Sequence, residues 1–598
     1  MNRFALKLLH TLLFYGRLKV DKRAVANSIT RKGWSPAIAR AAVTVIFTAS
    51  CGMAADQWTQ APTSKRPEEK TGLTQTLPAA PPPLSKRAAQ FLLSHPERWH
   101  QFLSRPQIRP VAAKPQVTLP SAEATVSRWY ALARNAPAAG LHAPLLLTDG
   151  SVLVHQYCTR NWYKLTPDIN GSYLNGTWSQ IAQMPSGYAP LYFAAATLSD
   201  GRLIINGGMY NDDGSGCKMV WTKGGAIYYP GANAWAPVPP PIGWTTIGDA
   251  PSVVLADGTY MMANCCWPQV ALLNPDEKTW TATGYGKFGG YGEESWTLLP
   301  NGNLLTVDSY EFTGGCGRNS ETYAPSTGKW ITAGNSPVQL SDCAGAYQSY
   351  ELGPQILRPD GAVVAFSGIT GGGVAGSAIY NASNRTWASG PNLPAISGQN
   401  YNLADGAATW LPNGNILLAA SPGFHSPPTH FFELTPGNTL FQVADASNAS
   451  NESSYWINFL ILPTGNILKT DFSSTVEIYL PSGNPNPSWA PVITSVPTIL
   501  VRGQTYAIAG LQLNGLTEGS VYDDDQKSAT NFPLVRIQNK ITGHIFYART
   551  FAFSTRSVAP GTFSSANFTV PLNIEPGMSS LVAVANGIPS AEVPVTLK

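Results

Sequence analysis

Charge is scarce in this chain. Asp, Glu, Lys and Arg make up 12% of its 598 residues, and there are only 8 His and 7 Cys. That balance suits an all-β, turn-rich exported protein better than a helical cytosolic enzyme. No apolar run reaches the length of a membrane-spanning helix, so no transmembrane span is expected. No cysteine pair stands at zinc-ligand spacing from a histidine, which removes the usual structural zinc site. A Gly-x-Ser-x-Gly nucleophile elbow is missing too, so a Ser-His-Asp site would lack its usual strand-to-helix setting. The net charge of +4 is unevenly spread: residues 1–55 carry +8 and 56–120 carry +5, which leaves −9 on 121–598. A mildly acidic body argues against nucleic acid as the partner.

What the chain has in abundance is turn residues, 55 Gly and 49 Pro. They are periodic. In Trp410-Leu-Pro-Asn-Gly-Asn-Ile-Leu-Leu418 a turn dipeptide separates two apolar runs, a strong hairpin signal. The same pattern turns at Gly150, Gly201, Gly258, Gly302, Gly361, Gly414 and Gly465, at spacings of 44 to 59 residues. An aromatic follows each turn by 22 to 34 residues: Trp178, Trp235, Trp280, Trp330, Trp387, Phe441 and Trp489. Two marks recurring in phase predict four strands repeated seven times, a seven-bladed β-propeller over residues 121–490. Arg128-Trp129-Tyr130-Ala131-Leu132 reads as an outermost strand whose partners come from the Gly465 unit, closing the ring from both ends. From Pro491 the repeat stops, and residues 491–598 alternate like a β-sandwich.

The flanks are different in kind. Residues 1–55 read as a basic signal or targeting segment, with the apolar run Ala41–Ala49 before Gly52-Met53-Ala54. Thr48-Ala49-Ser50-Cys51 resembles a lipoprotein box; ordinary cleavage near Ala55 is favoured over a lipid anchor at Cys51. Residues 56–120 read as a Pro-rich linker. The expected location is outside the cytoplasm: secreted, periplasmic or at the cell surface. Six cysteines then remain, Cys158, Cys217, Cys265, Cys266, Cys316 and Cys343, an even number that points to disulfides. Cys158–Cys217 and Cys316–Cys343 with a vicinal Cys265–Cys266 is the simplest arrangement; separate partners for the last two are the alternative.

Loop placement suggests where function lies. The Asp-Gly turns share one face, and all six cysteines and the long loops fall on the other. Just before the innermost strands comes a polar ring: His142, Tyr192, Asp249, Glu294, Glu351, Asp405 and Glu452. Asn264 and Asp308 leave the second strands, and Trp296 and Tyr455 stand nearby. Carboxylates, amides and flat rings suit sugar hydroxyls and sugar faces. The competing reading is that these acids only cap strand ends. His425 and His430 share a loop, and Asp523-Asp524-Asp525 forms an acidic run; both read better as solvated loops than as metal ligands.

A kelch-type propeller followed by a β-sandwich resembles galactose oxidase and its glyoxal-oxidase relatives. Phe532-Pro-Leu-Val-Arg-Ile537, Arg549 to Arg556, Pro576-Gly577 and Val582 to Pro589 resemble that family's C-terminal early-set, immunoglobulin-like domain. In the propeller the double glycine of kelch repeats is clear only at Gly207-Gly208. The resemblance implies a copper ion held by two histidines and two tyrosines, one tyrosine cross-linked to cysteine. This chain has no Tyr-His pair, and Ala404-Asp405 and Tyr455-Trp456 occupy the corresponding places. Arg549 to Arg556 contains no histidine. The expectation is therefore the family's fold without its copper site or other cofactor. The expected partner is a carbohydrate or cell-surface polymer, bound without catalysis; a divergent oxidase or an acid/base carbohydrate enzyme on the same face is the alternative.

Overall fold

The computed structural model describes residues 127–265, 267–309, 317–342, 350–369, 373–423, 426–522 and 527–598. The leader, the linker, Cys51, Cys266, Cys316, Cys343, His425 and Asp523 to Asp525 lie outside these residues. So do the pairings expected for Cys266, Cys316 and Cys343.

The described chain is all β, apart from a few 3-10 turns. Six sheets of four antiparallel strands follow one another, such as Ser252–Val254, Tyr260–Asn264, Gln269–Leu273 and Trp280–Thr283. A seventh set, Ala407–Trp410, Ile416–Ala420, His430–Leu434 and Leu440–Gln442, is extended by two further strands. One sheet joins the two ends of the repeat. Arg128–Ala131 pairs with Glu477–Leu480, with Trp129 opposite Tyr479. This is the architecture of a β-propeller, in which every sheet turns its first strand inward.

The repeated turn explains itself chemically. In all seven, the glycine has φ between 78° and 95°. Its N–H donates to the carbonyl three residues earlier, as from Gly150 to Leu147 (3.0 Å) and from Gly414 to Leu411 (2.8 Å). The residue before the glycine keeps negative φ, so this is a three-residue hairpin loop closed by one left-handed residue, not a two-residue turn. Asp or Asn stands before the glycine because its Oδ1 accepts the N–H two residues on, as Asp149 does from Ser151 (3.0 Å). Thr464 is the exception.

Outer-strand tryptophans tie the sheets together. Trp235 Nε1 donates to Ala182 O (2.9 Å), Trp280 Nε1 to Pro239 O (2.8 Å) and Trp387 Nε1 to Ser320 Oγ (2.8 Å). Trp489 is not in an outer strand. It lies in the short 3-10 turn Pro487–Trp489, against Trp410. Cys158, in the loop after Val152–Gln156, and Cys217, in the short strand Cys217–Met219, form a disulfide with Cα atoms 5.5 Å apart, as expected.

Most of the C-terminal strands, from Val492–Ser495 to Val593–Leu597, form a separate set that is antiparallel except where Ile499–Leu500 runs parallel to Val593–Leu597. Ile545–Phe551 pairs with Leu534–Asn539 along one half and with Phe563–Thr569 along the other. This unit sits on the turn face. A Cβ at Gly150 would be 2.6 Å from the Tyr547 ring, so only glycine lets the ring lie there. Arg556, 1% exposed, donates from Nη1 to Thr197 O (2.5 Å) and from its backbone N–H to Ala256 O (2.9 Å).

One hairpin leaves this unit and runs among the inner strands. Gly519–Tyr522 pairs with Ala407–Trp410 and with Lys527–Ala529. Glu518 accepts from Leu298 N (2.8 Å), and Ser528 donates to Pro144 O (2.7 Å). No helix among the described residues is long and apolar enough to cross a membrane.

Candidate functional site

The inner strands are approached through a repeated kink. Ala143, Tyr192, Gly248, Glu293, Tyr350 and Asp405 each adopt a left-handed backbone, with φ between 48° and 74°. Such a residue in a non-glycine position costs about 1–3 kcal/mol and persists only where its surroundings fix it. The kink interrupts the alternation of side chains, which shifts by one residue the position that faces the middle of the ring.

That shift decides which acids meet. Glu293, Glu351 and Asp405, from three consecutive sheets, each bring a carboxylate oxygen within 4.8 Å of the other two. Glu351 and Asp405 are buried, and Glu293 is half-buried. At that distance each ionised pair costs roughly 3–4 kcal/mol at an effective dielectric near 20. Asp249 borders this group. Burial pushes its carboxyl up to about 7, and the Asp405 charge adds to the rise; hydrogen bonds with Cys265 and Trp221 oppose it. Gly248 makes that approach feasible, because a Cβ there would be 2.5 Å from the Trp221 ring and 3.0 Å from Cys265 Cβ. Asp249 Oδ1 is buried with no hydrogen-bond partner.

Tyrosines continue the wall. Tyr522, from the inserted hairpin, donates to Tyr455 O (3.0 Å), and its ring stacks with Tyr192 at 6.5 Å. Tyr210 packs edge-on to Tyr192 at 6.2 Å. Burial first, then the charges of Asp249 and Tyr455, hold the Tyr210 phenol well above its ordinary value. On the same face Trp267, 44% exposed, lies beside the kink that carries Glu293; its carbonyl accepts from Tyr291 N (3.5 Å).

Of the sequence-selected residues, the structure groups Asp249, Glu351, Asp405, Tyr192 and Tyr455. Six others are committed elsewhere. Glu294 turns into its own sheet, where Lys287 Nζ lies 3.3 Å from it and 3.0 Å from Glu321 and also binds Asp308. Burial raises the Glu294 carboxyl, opposed by the Lys287 charge; burial also pulls Lys287 down, but its three acids win. Asp308 further accepts from Asn319. Asn264 donates to Gln269 Oε1 (2.7 Å) and accepts from Thr246 (3.2 Å). Trp296 is fully buried between Tyr291 and Trp330, so neither ring face is open to a ligand. His142 stacks on Phe472 and meets His155 Nδ1 at 3.1 Å. Glu452 matches Glu294: it shares Lys469 with Asp471 and Glu477 at 2.9–3.3 Å. For these acids, support of the strand ends is the better account.

The copper expected of the resembled family can be tested on the donors. The grouped ligands are carboxylates, with no histidine among them. The described histidines are engaged otherwise: His142 with His155, His430 with Asp445 Oδ2 (2.7 Å), and His544 with Glu575 (2.6 Å). An all-oxygen set does not fit a copper site built on two histidines.

No family model matches the chain, and no curated protein does. Among solved structures it is similar to a fungal alcohol oxidase of the AA5 family in complex with copper, at 14% identity and TM-score 0.45, over 79% of this chain and 100% of that one. It is also similar to a streptogramin B lyase, at 12% identity and TM-score 0.40, over 60% of this chain and 98% of that one. A third is YCF48 bound to D1 peptide, at 13% identity and TM-score 0.40, over 60% and 97%.

Proposed function

We propose that this chain is an exported binder of carbohydrate or of a cell-surface polymer. In this reading residues 121–490 form a seven-bladed propeller and 491–598 an immunoglobulin-like sandwich that covers the turn face. The leader 1–55 directs export and 56–120 is a spacer. Ligand lies on the loop face, over Asp249, Glu293, Glu351 and Asp405, with Tyr192, Tyr210, Tyr455 and Tyr522 around them and Trp267 as a stacking surface. The observation that carries the reading is the convergence of carboxylates from consecutive sheets with phenol rings. Such a set accepts hydrogen bonds from several hydroxyls at once and offers flat faces to a sugar ring. The test is a glycan screen followed by titration of folded Asp405→Asn and Trp267→Ala variants. Each should weaken binding tenfold or more. Unchanged affinity in both would place the ligand elsewhere.

One observation favours a second reading, an acid/base carbohydrate enzyme. Asp249, with its carboxyl pushed up to about 7, borders Asp405, and unequal neighbouring carboxyls are what acid and base roles require. Hydrolysis of the bound glycan, lost in Asp249→Asn while binding persists, would select it.

A further inference from the structure

We infer that residues 117–120, just ahead of the repeat, dock as an added strand in an apolar groove on the C-terminal unit. They lie outside the described residues, and the inference rests on the groove and on where the described chain begins. It goes beyond the carbohydrate reading and does not depend on it.

The groove encloses about 660 Å³. Pro485 and Pro487 line it from the crossing between the repeat and the C-terminal unit, and Val492, Ile493, Ile588 and Pro589 line it from that unit. Its one charged residue is Glu592, whose carboxylate is held by Lys540 Nζ (2.6 Å). Val492–Ser495 is the end strand of its sheet. Val492 pairs with Leu511 on one side, and no described strand pairs with the other. Val492 is 49% exposed. An open strand edge beside exposed apolar side chains is a ready template for an added strand.

Where the chain begins selects the occupant. Ser127 is the first residue described, and its Oγ accepts from Ser482 N (3.2 Å). Three residues separate Ser482 from Pro485, at most about 11 Å of chain. The pairing here is antiparallel, Arg128 with Leu480 and Ala131 with Glu477. Chain ahead of Arg128 therefore runs beside the chain that follows Leu480, toward the groove. The groove also adjoins this same sheet: a Cβ at Gly587, next to Ile588, would be 2.6 Å from Gly465 Cα. Ten extended residues reach about 33–36 Å, so residue 117 arrives with length to spare.

Composition agrees. Residues 56–114 hold 13 charged side chains, and residues 115–126 hold one, Glu123. Val117 and Leu119 alternate with Thr118 and Pro120, so an extended chain offers two apolar side chains on one face. Proline is tolerated in a strand at a sheet edge.

The experiment is amide exchange read by mass spectrometry on the whole exported chain. Amides of 117–119 and the outer-edge amides of Val492–Ser495 should exchange slowly in the wild type. Val117→Asp/Leu119→Asp should speed both segments at least tenfold, because each covers the other. Val492→Asp, at an exposed groove position, should release 117–119 to the same degree. Leu77→Asp, elsewhere in the linker, should change neither. Coil-like exchange at 117–119 in the wild type would overturn the inference. So would protection that survives in folded Val492→Asp, because the segment would then dock elsewhere. Protection of Val492–Ser495 that fades on dilution, with 117–119 at coil rates, would overturn it in favour of a second copy in the groove. If Val492→Asp fails to fold, the Val117→Asp/Leu119→Asp variant, which alters no described residue, decides alone: an unchanged Val492–Ser495 edge would refute docking there.

Discussion

His155 should make this protein sensitive to mild acid. The residue is fully buried, with its ring against Trp162 (4.7 Å) and Phe193 (5.3 Å). Its Nε2 lies 2.8 Å from Thr159 O, a carbonyl, so Nε2 carries the proton and Nδ1 accepts from His142 Nε2. Protonation would place a second N–H against that donor and a charge among aromatic rings. Burial pushes the imidazole down from 6.5 to about 3, and the Thr159 bond only partly offsets this. Between those values the unfolded chain takes up a proton that the folded chain refuses. Stability contributed by the neutral ring is therefore complete above pH 6.5 and is lost as pH falls toward 3. The slope is about 1.4 kcal/mol per pH unit, and the whole interval is worth at most about 4–5 kcal/mol. Buried carboxyls with raised values, Glu294 and Glu452, act with the opposite sign, but they are common to wild type and variant. The comparison is urea unfolding of wild type and His155→Phe at pH 7.5, 6.5, 5.5 and 4.5. The variant loses two hydrogen bonds, so it should be weaker at pH 7.5 by about 1–3 kcal/mol. Its stability should then fall less steeply, with the two curves converging at about 1.4 kcal/mol per unit below pH 6.5. Parallel curves would refute the assignment.

Other outcomes follow from the same contacts. Trp296→Ala should cost about 3–5 kcal/mol by thermal or urea unfolding, because it empties a core site; Trp267→Ala should change stability by no more than about 0.5 kcal/mol. Lys287→Met leaves Glu294, Asp308 and Glu321 buried together without their cation, and it should destabilise by about 3–5 kcal/mol in the same assay. Joining residues 59 apart, the Cys158–Cys217 bridge should contribute about 4 kcal/mol on the chain-entropy account, read from Cys158→Ser/Cys217→Ser unfolding under non-reducing conditions. Arg556→Met strands the carbonyls of Thr197 and Asn531 and should loosen the C-terminal unit from the turn face, seen as faster proteolysis or amide exchange at both.

The repeat was readable because its turn chemistry is local: a glycine closes each loop and an Asp or Asn side chain supports it. The joining of both chain ends was readable because one strand carried the outer aromatic without its partners. The site was harder. Counting back from the turns reached Asp249, Glu351 and Asp405, which the structure brings together, and Glu294, whose neighbour Glu293 joins them instead. Left-handed residues stand at Glu293 and Asp405, where no glycine marks them in the sequence. Trp296 lies in the core between Tyr291 and Trp330, which the count from the turn does not reveal. Lys287 and Lys469 gave no periodic signal, although each neutralises acids that looked available. Tyr522 was out of reach altogether, because its hairpin pairs with a strand more than a hundred residues earlier.

Two pairings join strands far apart in the chain, Arg128 with Leu480 and Ala407 with Tyr522. As the chain is made, the first strand emerges some 350 residues before its partner exists. For that interval it is an unpaired edge carrying Trp129 and Tyr130, open to pairing with another chain. The inserted hairpin is made later still, and its companions on both sides are already built. Assembly must therefore finish from the C-terminal end, with the hairpin entering a ring that has not yet sealed or that opens to admit it. Truncations that remove residues after 519 should leave a soluble-looking repeat array without its central strands, and such fragments should aggregate where the whole chain does not.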